Sequence, residues 1–121
     1  MPRVGRLDVQ GGLYHVIGRG VERRKVFRSD KDCEDFEGRL AALVEPEEMT
    51  LFAYVLLVNH FHIVIRRDGA RPLGRFVGRV LTGYVGSFNL RYRRVGHLLQ
   101  NRYKAILCEN DAYLLQLATT G

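Results

Sequence analysis

After Pro72, the residues Leu73, Phe76, Val77, Val80, Leu81, Tyr84, Val85 and Phe88 recur at three- and four-residue spacing, the mark of one apolar stripe along an α-helix. A stripe that wide must be buried against another surface. Gly74, Gly78, Gly83 and Gly86 each weaken a helix interior by about 1 kcal/mol, so packing has to offset them. Arg71, Arg75 and Arg79 follow one another a turn apart on the other side, which predicts a row of cations turned to solvent.

The opposing surface is encoded upstream. Residues 13–17 are aromatic and β-branched between two glycine-rich turns, and residues 50–57 and 61–67 read as two more strands joined at Asn59-His60. Between the first and second strands, Ser29 or Asp30 caps a helix carrying Phe36, Leu40, Leu43 and Val44 at helical spacing until Pro46. Residues 89–96 read as a basic loop and 102–108 as another strand, and Asn110-Asp111 begins a final helix through Leu117. The order β, α, β, β, α, β, α predicts an α+β sandwich of ferredoxin-like or RRM-like character, an antiparallel sheet with helices packed on it.

A chain of 121 residues, 46% hydrophobic and 26% charged, is expected to form one domain over residues 1–121 and excludes disorder or coiled coil as global states. Its apolar runs are far shorter than the roughly 20 residues of a membrane helix, and no secretory leader is expected. Cys33 and Cys108 lack C-x-x-C spacing and suit a reducing cytoplasm. The net charge of +6 is unevenly placed. Residues 1–65 carry nine basic and ten acidic side chains, whereas residues 66–104 carry ten basic ones and only Asp68. From Arg71 to Lys104 there is no acid, and Phe76, Tyr84, Phe88, Tyr92 and Tyr103 are interleaved with the cations. That pattern points to nucleic acid as partner; the bland alternative is a basic surface without a ligand. A metal-dependent hydrolase unrelated to nucleic acid would leave this charge unexplained.

In His60-Phe61-His62, strand alternation puts the two imidazoles on one face about 7 Å apart, with Phe61 and Ile63 on the other. Such a pair can converge on one cation, or be two surface histidines. Beside a cationic surface it suits metal-assisted phosphodiester chemistry, with manganese favoured by imidazole and magnesium possible with added water. His15 and His97 could be further ligands, but each lies in a separate element, where a histidine is more often a strand or loop residue without chemistry.

Four blocks in order, Leu13-Tyr14-His15-Val16-Ile17-Gly18-Arg19-Gly20, Ala53-Tyr54-Val55-Leu56-Leu57-Val58-Asn59-His60-Phe61-His62, Phe88-Asn89, and Arg94-Val95-Gly96-His97 continuing through Leu98-Leu99-Gln100-Asn101-Arg102-Tyr103-Lys104-Ala105, closely resemble the single-tyrosine HUH transposases. The branch they look most like is that of the REP-associated tyrosine transposases. The resemblance implies that His60 and His62 bind Mg2+ or Mn2+, which polarises the scissile phosphate of single-stranded DNA next to a hairpin. It further implies attack by a tyrosine on the last helix to form a 5′-phosphotyrosine link, a homodimer, and a cytoplasmic, nucleoid-associated prokaryotic protein.

The chain departs from the family at its end. Where the family continues into arginine, tyrosine, isoleucine and later asparagine-proline, this sequence reads Thr119-Thr120-Gly121. The nucleophilic tyrosine would align with Thr120, so impaired strand cleavage is expected. Tyr113 shares that helix face but lies two turns earlier, roughly 10 Å along the axis, too far for simple replacement. Arg19, in a turn where Gly18 replaces the family's asparagine, is a candidate phosphate contact, as are Arg91, Arg93 and Arg94. Arg75 and Arg79 on the helix, and Arg102, Tyr103 and Lys104 along a strand, complete the candidate DNA surface. The alternative reading is a non-catalytic nucleic-acid-binding module on the same fold.

Overall fold

A computed structural model describes residues 8–108. The proposed final helix, with Asp111, Tyr113 and Thr120, lies outside the described residues. Within them the order is β1 (Leu13–Arg19), α1 (Asp30–Val44), β2 (Met49–Leu57), β3 (His60–Arg67), α2 (Leu73–Arg91) and β4 (Lys104–Cys108). The strands form one sheet in the order β2-β3-β1-β4, every neighbouring pair antiparallel, as the ferredoxin-like reading requires.

Alternation along the strands decides which face is covered. Tyr14 and Val16 of β1 and Phe61, Ile63 and Ile65 of β3 point into a core shared with Phe36 and Leu40 of α1 and with Leu73, Phe76, Val77, Val80, Tyr84 and Phe88 of α2. The α2 residues are those the periodicity selects, and burial of each large apolar side chain contributes about 1.5–3 kcal/mol. Aromatic rings knit the layers: Phe36 lies 5.0 Å from Phe61 and 5.2 Å from Tyr84 between centroids. The Tyr84 hydroxyl donates to the Val26 carbonyl, which fastens α2 to the segment following β1.

Three boundaries differ from the sequence reading; the first is β1, which runs on through Gly18 and Arg19, where the sequence suggests a turn. Helix α2 continues through residues 89–91, where the sequence suggests a loop, because no glycine or proline intervenes and Arg91 is anchored across to α1. Its guanidinium bonds Asp32 at 2.9 Å and Asp35 at 3.2 Å. The last strand starts at Lys104, so Arg102 and Tyr103 precede it.

The approach to His60 depends on two glycines. A Cβ at Gly18 would overlap the Phe61 ring. One at Gly20 would run into the Arg24 carbonyl, where the chain turns back after a 3-10 turn at Val21–Arg23.

Candidate functional site

Opposite the helices, the sheet presents the side chains that alternate with the core set. The pairings Arg19–His60–Leu57 and Lys104–Ile17–His62–Val55 cross the strands as two successive rows on this face. His60 and His62 therefore project together, as alternation predicts, with ring centroids 5.0 Å apart.

The structure adds a third imidazole. His15 Nε2 lies 2.8 Å from His62 Nδ1, the rings nearly parallel with centroids 5.0 Å apart. His60 Nδ1 in turn lies 2.9 Å from Asn59 Oδ1, an acceptor to which it donates. With His62 Nδ1–H donating to His15, both Nδ1 atoms of the pair carry their protons and both Nε2 atoms keep a lone pair. The opposite tautomer would place a proton on His62 Nε2 and close it to a cation. Burial holds His62 below the ordinary histidine range, helped by His15, His60 and Arg19 nearby, and burial does the same for His15. Neutral imidazoles are what a metal requires.

This donor set fits a divalent cation held by two imidazoles whose outward nitrogens are freed by second hydrogen bonds. Among the described residues no group of three or more His, Cys, Asp or Glu is placed to hold a metal. Of the two histidines left as possible further ligands, His15 is brought into contact with the pair by this geometry. Sequence spacing could not reveal its place, because only the β1–β3 register sets it beside His62.

The predicted cations are distributed less simply. Arg19 and Lys104 share the histidine face. Arg75 and Arg79 do not form a free row with Arg71, which precedes the helix. Both bond Glu47 Oε2, at 3.2 and 2.6 Å, and Glu47 is 1% exposed. These hydrogen bonds, Arg79's first, hold the Glu47 carboxyl below its ordinary value against the cost of burial. A buried carboxylate needs such partners, so these arginines have a structural task the sequence does not display. Arg91 is likewise committed to Asp32, which is fully buried and also accepts from the Arg28 N–H and the Tyr92 hydroxyl. Tyr103 packs against the core instead of facing outward with Arg102 and Lys104, its hydroxyl beside Gly74. Arg93 is exposed at positive φ in the loop after α2, and Arg94 bonds Asn89 Oδ1 and the His97 carbonyl. No helix among the described residues is long and apolar enough to cross a membrane.

The chain is similar to a REP-associated tyrosine transposase solved bound to a REP hairpin, with a TM-score of 0.76 and 14% identity over 96% of this chain and 68% of that one. It is also similar to a protein of Deinococcus radiodurans R1 described as a transposase, with a TM-score of 0.63 and 15% identity over 99% of this chain and 95% of the other. A search of curated proteins found no significant match. The IS200-like transposase family model matches residues 8–118, nearly the whole sequence, and the chain belongs to that family.

Proposed function

We propose that this protein binds single-stranded DNA flanking a hairpin and holds Mg2+ or Mn2+ on His60 and His62. The observation that carries the reading is the array Asn59–His60 and His15–His62, which turns two outward nitrogens to the open face of the sheet beside Arg19. The hairpin complex of the similar transposase supports DNA as the partner. A bound cation would polarise a phosphoryl oxygen. The chain's own residues do the rest: Arg19 and Lys104 draw the phosphodiester to the face, and His15 and Asn59 orient the imidazoles. A homodimer acting on chromosomal DNA is part of the same proposal.

Binding is tested with a labelled hairpin oligonucleotide bearing single-stranded flanks, titrated at increasing salt. Salt-sensitive retention supports the reading, and absence of binding at low salt overturns it. Residues 109–121 contain one tyrosine, Tyr113, and the resemblance to the family implies that Thr120 occupies its nucleophile's place. The 121-residue polypeptide is therefore expected to bind in the presence of Mn2+ without forming an adduct that survives denaturation. An adduct abolished by Tyr113→Phe would instead give Tyr113 the nucleophile's role.

His15 acts as a positioning residue. His15→Ala is expected to weaken Mn2+ binding about 10- to 100-fold by releasing the His62 tautomer. His15→Gln, which retains an acceptor, should recover part of that affinity. Both are read by electron paramagnetic resonance titration of Mn2+, and equal affinity in all three proteins would remove His15 from the site.

A further inference from the structure

The three arginines of α2 that meet buried carboxylates are not used alike. Arg91 spends its whole guanidinium inside the protein, with Nε, Nη1 and Nη2 donating to Asp32, Ser87 and Asp35. Among the described residues Arg75 gives only Nε and Arg79 only Nη1, both to Glu47 Oε2, and both side chains stay half-exposed. Glu47 Oε1 is buried and has no partner there. Two guanidiniums that converge on one oxygen exceed what a single carboxylate needs. The buried charge acts as a strut that holds them in place, with one net positive charge and several outward N–H groups left over.

The surface beside these arginines is bare. Arg75 and Arg79 line a shallow groove of about 440 Å³ on the outer side of α2, together with Gly74, Gly78, Thr82 and Gly83. Neighbours inside the protein account for two of the glycines. A Cβ at Gly74 would come 3.3 Å from the Tyr103 hydroxyl, and one at Gly83 would run into the Arg39 guanidinium. Gly78 has no such reason. A Cβ there would meet nothing within 4 Å, so alanine would fit and would strengthen the helix. A glycine that the fold does not need, in a groove with a cationic rim, leaves room for another backbone to come close.

We propose that this groove docks a helix of a partner protein that carries two carboxylates one turn apart. Arg75 and Arg79 are four residues apart, so a helix laid along α2 with Asp or Glu at the same interval meets both guanidinium forks. The bare floor at Gly78 lets the two axes approach closely, toward the lower end of the roughly 8–10 Å range of packed helices. A second copy of this chain in a two-fold α2–α2 contact would set these arginines against their own images, which like charges oppose. Nucleic acid fits the groove less well. The helices cover one side of the sheet and His60 and His62 stand on the other, so the thickness of the domain separates the groove from a strand held at the histidines. A phosphate contact also has no use for a bare floor. The inference does not depend on the DNA-binding reading.

The test titrates the full chain into a labelled, alanine-rich helical peptide of about 18 residues, with glutamates four residues apart on one face, and reads fluorescence anisotropy. A second peptide carries glutamine in their place. The acidic peptide is expected to bind at least about 10-fold more tightly than the glutamine one. Gly78→Leu, which fills the floor and keeps the fold, should weaken the acidic peptide at least about 10-fold. Gly38→Leu, at an exposed position of α1 where a Cβ also meets nothing, should leave it within about 2-fold. Arg75→Lys with Arg79→Lys keeps two charges opposite Glu47 but removes the forks, and should cost about 5-fold or more. Equal binding of the two peptides, including none by either, overturns the proposal, as does indifference to Gly78→Leu. The hairpin oligonucleotide at saturation should leave the peptide bound. If it displaces the peptide and Gly78→Leu weakens the DNA as well, the groove is a nucleic-acid surface and protein docking there is refuted.

Discussion

Replacing His60 and His62 together with alanine is expected to abolish saturable Mn2+ binding, a drop of at least about 100-fold, while the protein keeps its fold and its affinity for DNA in chelator. The separation follows from where the side chains point. Both imidazoles lie on the open face, only half-buried, so their removal leaves the core of Phe61, Ile63 and Ile65 intact. Their hydrogen bonds with Asn59 and His15 are worth about 0.5–1.5 kcal/mol each, too little to unfold the domain. Phosphates are neutralised by cations elsewhere, so the salt dependence of DNA binding should be unchanged. Calorimetric titration with Mn2+ and thermal melting check the two halves separately. Retained stoichiometric Mn2+ binding in the double variant would show that the cation sits elsewhere. A melting temperature lowered by more than about 10 °C would show instead that the histidines are structural.

The sheet and helices are legible in the sequence because their signals are local. Periods of two and of about 3.6 residues place every described strand and helix within a few residues, and the His60–His62 pair needs only strand alternation. What the sequence hides is set by pairing across strands and helices. His15 becomes part of the site only because β1 lies beside β3 in a particular register. Arg75 and Arg79 do reach solvent, at 54% and 49% exposure, but they and Arg91 each also answer a buried carboxylate, Glu47 or Asp32, contributed by a distant stretch of chain. Charge patterning counts side chains and does not register such partners.

Phe61→Ala carries the largest expected stability cost, about 3–5 kcal/mol, which in a domain this size lowers the melting temperature by roughly 10 °C or more. Phe61 is 1% exposed, meets Phe36 from α1 and lies across Gly18 of β1, so one ring joins the helical layer to both central strands. It also sits between the two histidines in sequence, and its removal should therefore loosen their spacing as well as the core. Gly18 offers an independent check on this geometry. Gly18→Ala should cost about 1–3 kcal/mol, because the added methyl overlaps a ring that is already buried against Phe36. If that overlap is the cause, the two substitutions are not additive. In a Phe61→Ala background the alanine at position 18 meets no ring, so its cost should fall to within about 0.5 kcal/mol of zero, measured as a double-mutant cycle by denaturant unfolding. Simple additivity would mean that Gly18 is needed for some other reason, and that Phe61 is not what fixes the approach of β1 to the histidine strand.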